Sequence, residues 1–231
     1  MAKKKLARFA EMHQFNNVVQ AAAEDVVKMK HPFYGRWAED FFGMPNPVVL
    51  ELGCGKGEYT VELAKMFPGM NFLGVDIKGA RMWKGAKYAI DNSIRNAGFL
   101  RTRIELVSSF FAPGEIDQIW LTFPDPQPRK TRKRLTSASF LNRYRGFLRS
   151  GGKLHLKTDS AELHNYTLSL LRTNGLPVED STDDLYGRGG TDKILSIKTW
   201  YEQQFLNLGK PICYLRFRLD GAREITEPDD G

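Results

Sequence analysis

The chain has 231 residues and a mass of 26.3 kDa, 42% hydrophobic and 26% charged, a size that suits one compact α/β domain with a short appendage better than two full domains. Every apolar stretch is cut by proline or a charge before the ~18 residues that cross a bilayer, and no apolar run follows Lys3-Lys4-Lys5, so a membrane span and a secretory leader are not expected and the chain reads as cytoplasmic. Cys54 and Cys213 lack any CxxC spacing, which argues against a disulfide scaffold or a structural zinc, while a net charge of +7 and a pI near 9.4 point to a polyanionic partner.

Residues 1–40 read as a basic, partly helical N-terminal arm, with Phe33, Tyr34 and Trp37 available to anchor it on a domain covering 41–231. A regular alternation then begins. Val48–Leu52 is a buried strand, Tyr59–Phe67 carries apolar residues at helical spacing, and Phe72–Val75 is a second strand ended by Asp76. A helix through Lys84–Asn92, a third strand near Phe99-Leu100 and a fourth over Ile116–Phe123 follow. Ser137–Leu148 predicts a helix, Lys153–Lys157 a fifth strand, and Ala161–Arg172 a helix closed by Asn174-Gly175. Strands alternating with helices imply a parallel sheet covered on both faces, with Cys213–Leu219 as a final antiparallel strand and the residues after Glu227 frayed.

Between the first strand and the first helix stands Glu51-Leu52-Gly53-Cys54-Gly55-Lys56-Gly57. An open α/β sheet binds ligands there, at the carboxyl ends of its strands. Glycine lets the backbone approach a ligand closely and reach positive φ. Asp76, at the end of the second strand, is placed to accept ribose hydroxyls. The third glycine comes two residues after the second, and the acidic Glu51 precedes the run. A carboxylate there repels a pyrophosphate but favours a cationic amino acid group, so the pattern points to S-adenosylmethionine rather than NAD. The adenine side depends on register. A strand at Phe99-Leu100-Arg101 presents Thr102, Arg103 and Ile104, whereas one at Ile104–Val107 presents Ser108 and Ser109; both stay open.

The fourth strand runs into Pro124-Asp125-Pro126-Gln127-Pro128-Arg129, in which prolines on both sides of Asp125 restrict its backbone and present one carboxylate rigidly. The basic run Arg129, Lys130, Arg132, Lys133, Arg134 follows at once, a surface suited to phosphates, and Lys3, Lys4, Lys5 and Arg8 add a second patch. His13, His31, His155 and His164 are scattered, none at metal-ligand spacing, and no metal is expected.

These motifs resemble the tRNA (guanine-N7)-methyltransferases, of the class I S-adenosylmethionine-dependent fold. The likeness rests on Glu51-x-Gly53-x-Gly55-x-Gly57, Gly74-Val75-Asp76, Phe123-Pro124-Asp125-Pro126 with its basic tail, Lys157-Thr158-Asp159 and Thr199-x-Tyr201-Glu202, and covers about residues 48–219. The resemblance implies a Rossmann-like α/β fold with a mostly parallel seven-stranded sheet, helices on both faces and the last strand antiparallel. It implies donor binding by Glu51, the three glycines, Asp76 and Arg103, a catalytic-loop carboxylate in Asp125, and target-guanosine binding by Arg129, Asp159, Thr199, Tyr201 and Glu202. It also implies tRNA as partner and the variable-loop guanosine as target, with no obligatory protein partner. Two positions depart from the family pattern. Gln127 stands where an aromatic is frequent, and Arg103 where a carboxylate is common.

Methyl transfer from a sulfonium needs positioning rather than a metal or a nucleophilic side chain. Guanine N7 carries a lone pair and no proton, so no general base is needed, but the ring becomes cationic and carboxylates around it stabilise that charge. Other readings of the same residues are a methyltransferase for an exocyclic amine, a non-catalytic RNA-binding protein of this fold, and a dehydrogenase.

Overall fold

The computed structural model describes residues 2–21, 31–189, 192–221 and 223–228. The chain forms two compact units, one ending at Ile116 and the other beginning at Asp117.

In the first unit four parallel strands lie in the order β1-β4-β3-β2: β1 Val18–Gln20, β2 Val48–Leu52, β3 Asn71–Asp76 and β4 Ala97–Arg101. All five residues of β2 are buried, as continuous apolar runs in a parallel sheet require. The register sets Glu51 against Gly74, Gly74 against Phe99 and Asp76 against Arg101, which aligns the carboxyl ends of three strands. Helices α1 (Ala2–Met12), α2 (Glu58–Met66) and α3 (Gly79–Asp91) accompany them. α1 packs on α3: Trp83 Nε1 donates to Glu11 Oε2 at 2.8 Å, Arg8 lies 4.7 Å over the Trp83 ring, and Met12 is buried. Trp37, in a π-helical turn over Trp37–Phe41, is fully buried and donates from Nε1 to Phe110 O at 2.7 Å, the anchoring expected of it.

The second unit holds β5 (Ile116–Thr122), β6 (Leu148–Thr158), β7 (Val178–Thr182) and β8 (Cys213–Arg218) in the order β5-β6-β8-β7, with β8 antiparallel to both neighbours, as its pattern predicts. Its helices are α4 (Ala138–Arg145), α5 (Ala161–Thr173) and α6 (Trp200–Asn207). α5 starts and stops as its sequence says: Ser160 Oγ accepts from Leu163 N at 3.2 Å, and Gly175 takes φ +62°.

Four expectations need correction. Eight strands are described where the resemblance implies seven and the sequence pattern marks six. The two that the pattern does not mark, β1 and β7, are sheet-edge strands of three and five residues, half-buried or exposed, without the apolar run or alternation that marks a buried strand. The helix expected to reach Leu148 ends at Arg145, and Leu148 opens β6, which is longer than Lys153–Lys157. Ile104–Ser109 is a 3-10 helix, which removes the Ile104–Val107 strand and leaves Phe99-Leu100-Arg101 inside β4. α3 begins at Gly79, five residues before the predicted Lys84; its first residue is a glycine, a poor helix former, where a Cβ would lie 2.8 Å from the Phe9 ring and 2.9 Å from Arg101 Cδ.

Candidate active site

In the first unit, Glu51 is buried in β2, and its Oε2 accepts from Thr60 N at 2.8 Å and Thr60 Oγ1 at 2.5 Å. The first turn of α2 thereby holds a carboxylate in the sheet. The turn itself folds back onto β3, with Gly53 N and Cys54 N donating to Val75 O at 2.8 and 3.1 Å. Gly57 has φ +72° and caps α2; a Cβ on it would lie 2.4 Å from Phe99 Cε1. Gly55 has φ +56°, and a Cβ there would meet nothing nearer than Gly53 O at 4.0 Å, so its side faces open space. Asp76 is drawn to the same turn, its Oδ2 accepting from Gly55 N at 3.0 Å and its Oδ1 from Lys78 N at 2.7 Å. Each carboxylate oxygen retains acceptor capacity after one such bond. Thus Glu51, Gly53, Gly55, Gly57 and Asp76 converge. Arg103 is exposed, immediately before the 3-10 helix at Ile104–Ser109 and two residues beyond Arg101, the register partner of Asp76. Cys54 is buried under the turn, and burial with the charges of Glu51 and Asp76 raises its thiol well above the ordinary range.

In the second unit the Asp125 loop leaves β5 through Phe123 at φ +51° and closes at Gln127 at φ +46°, both left-handed. Asp125 is exposed, and its Oδ1 accepts from Gln127 N at 3.1 Å, an Asx turn. Phe123 N donates to Lys157 O at 2.8 Å, so Asp125 and Asp159 each lie two residues beyond a paired strand position. Asp159 pairs with the half-exposed Lys210 at 3.3 Å. Thr199 caps α6, its Oγ1 accepting from Glu202 N at 3.2 Å. Tyr201 is partly exposed and meets Trp200 edge to face at 5.1 Å. Glu202 is fully buried. Its Oε1 lies 2.8 Å from Lys157 Nζ and accepts from Tyr186 OH at 2.6 Å, while its Oε2 has no hydrogen-bond partner among the described residues.

Sequence reasoning missed Lys157 and Tyr186 as members of this cluster. Lys157 reads as a strand residue, yet its Nζ also donates to Leu195 O at 2.8 Å and Ile197 O at 2.9 Å, tying β6 to the segment leading into α6. Burial lowers its ammonium against the opposing pull of Glu202. Burial, then the hydrogen bond to Glu202, pushes the Tyr186 phenol far up and keeps it a donor. The basic run also needs correction. Arg129, Lys130, Arg132 and Lys133 are exposed, but Arg134 is buried, donates from Nε to Pro126 O at 3.0 Å and pairs with Glu162, so it is not available to phosphate. Nothing local distinguishes Arg134 from its neighbours; its partners Glu162 and Tyr166 lie on α5. The side chains of Lys3, Lys4 and Lys5 and residues 229–231 lie outside the described residues. Among the described residues no three His, Cys, Asp or Glu gather to hold a metal, and no helix is long and apolar enough to cross a membrane.

Residues 45–215 match a family model described as a putative methyltransferase. A tRNA (guanine-N(7)-)-methyltransferase of Bacteroides fragilis is 51% identical over 99% of this chain and 91% of its own length. One of Christiangramia forsetii is 48% identical over 94% of this chain and 99% of its own. This chain belongs to the tRNA (guanine-N(7)-)-methyltransferase family. Among solved structures, the 16S rRNA methyltransferase KamB superposes with a TM-score of 0.58 at 15% identity, covering 74% of this chain and 87% of that one. A 16S rRNA (adenine(1408)-N(1))-methyltransferase from Catenulisporales acidiphilia superposes with 0.55 at 17% identity, covering 77% and 89%. At such identities the likeness concerns the fold alone, the class I methyltransferase fold. For a member of the tRNA (guanine-N(7)-)-methyltransferase family, the first unit offers open space over Gly55 and, beside it, a carboxylate with spare acceptor capacity in Asp76, while the turn's one cation, Lys56, lies 3.8 Å from Glu58.

Proposed function

We propose that this enzyme transfers a methyl group from S-adenosylmethionine to N7 of a guanosine in tRNA, with the variable-loop guanosine as target. Bound in the first unit, the donor supplies an electrophilic methyl on a sulfonium with a neutral leaving group. Glu51, Gly53, Gly55, Gly57 and Asp76 are assigned to it, with Arg103 on the adenine side. Gly55 keeps a side chain out of the cradle, Gly53 and Gly57 supply the left-handed backbone that shapes the turn, Asp76 takes the ribose hydroxyls, and the buried Glu51 supplies negative potential near a cationic ligand.

The second unit is assigned to the base. The observation that carries this assignment is the exposed Asp125 carboxylate, held by its Asx turn, with Asp159 beyond the end of the neighbouring strand. Glu202, clamped through Oε1 by Lys157 and Tyr186, has no exposed surface and is assigned a place beneath the base; guanine N1–H and N2 would donate to its unpaired Oε2 only once the segment over it opens. Asp125 and Asp159, on neighbouring strand ends, add the negative charge that stabilises a purine ring becoming cationic. Thr199 fixes the turn that carries Glu202, Tyr201 offers a partly exposed ring, and Arg129 with Lys130, Arg132 and Lys133 holds phosphate. No residue is assigned to remove a proton, because N7 has none.

The test is incubation with labelled donor and bulk tRNA lacking the modification, followed by nuclease digestion and mass spectrometry to locate the methyl. Asp125→Ala should lower kcat by about 100-fold or more while donor affinity in titration calorimetry stays the same. Label on an exocyclic amine, or equal loss of turnover and donor affinity, would defeat the reading.

A further inference from the structure

The chain's C-terminal segment is built into the second unit with more care than a tail requires. Asn142 and Asn174 each pair reciprocally with its backbone: Asn142 Nδ2 donates to Ile225 O at 2.7 Å and Ile225 N returns to Asn142 Oδ1 at 3.0 Å. Asn174 Nδ2 donates to Thr226 O at 2.8 Å and Thr226 N returns to Asn174 Oδ1 at 2.9 Å. Ile225 is buried. These four bonds set the next residue, Glu227, whose two oxygens then do different things. Oε1 accepts from Ala138 N at 3.0 Å, at the N-terminus of α4, and Oε2 accepts from Tyr166 OH.

Tyr166 is the middle of a chain of contacts. Its ring lies 4.4 Å under the Arg134 guanidinium, and that guanidinium donates to Pro126 O and pairs with Glu162. Pro126 adjoins Asp125. The segment from Pro126 to Ala138 is therefore held at both ends, at the first by Arg134 and at the second directly by Glu227. Burial, with the hydrogen bond to Glu227, drives the Tyr166 phenol well above its ordinary range, so this donor is retained at any working pH.

We propose that residues 223–228 form a strap that positions the Asp125 loop, with Glu227, Tyr166 and Arg134 as positioning residues that act through Pro126. The proposal rests on the reading that Asp125 faces the reacting base. Loss of Glu227 frees Tyr166, lets the Arg134 guanidinium turn, and releases the Pro126 carbonyl. The loop then samples geometries in which Asp125 is misplaced, which penalises turnover more than binding.

The experiment uses the full chain with Glu227→Ala, Glu227→Gln and Asn174→Ala, the last loosening the strap without touching the loop or Glu227. Three readouts are taken: kcat at saturating donor and tRNA, donor affinity by calorimetry, and hydrogen exchange of amides 123–134. Glu227→Ala should lower kcat by about tenfold or more, leave donor affinity unchanged, and speed exchange across 127–134. Glu227→Gln, which keeps one acceptor oxygen, should fall between it and the parent, and Asn174→Ala should shift the same readouts in the same direction. Unchanged exchange in 123–134 overturns the proposal, whatever happens to kcat, and so does faster exchange with unchanged kcat in an enzyme that Asp125→Ala inactivates. Should Glu227→Ala not fold, Asn174→Ala and Glu227→Gln decide by the same criteria. Full activity in Asp125→Ala would instead sink the site reading, and exchange would still report whether the strap orders the loop.

Discussion

Burying Lys157 and Glu202 with no exposed surface removes two charges from water, and the cost is offset in part: Leu195 O and Ile197 O accept from the ammonium and Tyr186 OH donates to Glu202 Oε1, while Oε2 keeps no partner among the described residues. A sequence displays the residues of such a pair but not their meeting, since β6 and α6 are far apart along the chain. Thr199 enters the sequence only as part of a motif, and its role as the cap of α6, like the burial of Glu202, comes from the structure. His155 illustrates the same limit with a measurable consequence. It stacks on Trp120 at 3.8 Å and contacts Tyr214 OH through Nδ1 at 2.8 Å, and burial, helped by Arg216 and Lys153, lowers its pKa to about 3. The unfolded chain, with an ordinary histidine near 6.5, binds a proton that the folded state refuses. Stability is therefore unaffected by His155 above about pH 6.5 and declines as pH falls from there toward about 3, because the unfolded state binds more protons in that window. Urea unfolding at pH 7 and pH 5 should show that decline, and His155→Leu should reduce it.

At the scale of elements, visibility tracked burial. β2, β3 and β4 are buried apolar runs and are plain in the sequence; β1 and β7 lie at sheet edges, where half-exposed residues such as Gln20, Glu179 and Asp180 erase the pattern. The boundary between α4 and β6 was misjudged because Phe147 and Leu148 extend the helical spacing, while Gly146 ends the helix. The positive φ expected of the glycine turn is found at Gly53, Gly55 and Gly57, and packing adds a second constraint at Gly57. Gly57→Ala forces a left-handed φ on a residue with a Cβ and drives that Cβ to 2.4 Å from the Phe99 ring. The combined penalty is about 2–4 kcal/mol. It should appear as a lowered urea midpoint, together with weaker donor binding, since Phe99 has to move beneath the turn.

For the whole molecule, the net charge of +7 was a sound pointer to a polyanion, but counting charges overstates the usable surface. Of the run after Pro128, Arg129, Lys130, Arg132 and Lys133 face solvent and Arg134 does not. Each cation that releases a counterion on binding RNA adds roughly 0.7–0.9 to the slope of log affinity against log salt. Arg132→Gln with Lys133→Gln should flatten that slope by up to about 1.5 in filter-binding titrations across salt, whereas Arg134→Gln should leave it nearly unchanged. The backbone at the Asp125 loop has a different consequence. Phe123 and Gln127 are two of the three non-glycine residues with positive φ among the described residues, and each bears a left-handed backbone that β-branched side chains resist. Anyone retargeting this enzyme by random mutagenesis should restrict the codons at 127 to glycine, asparagine and aspartate and leave 123 alone. A library containing valine, isoleucine or threonine at either site will be enriched in clones that fail to fold rather than in new specificities.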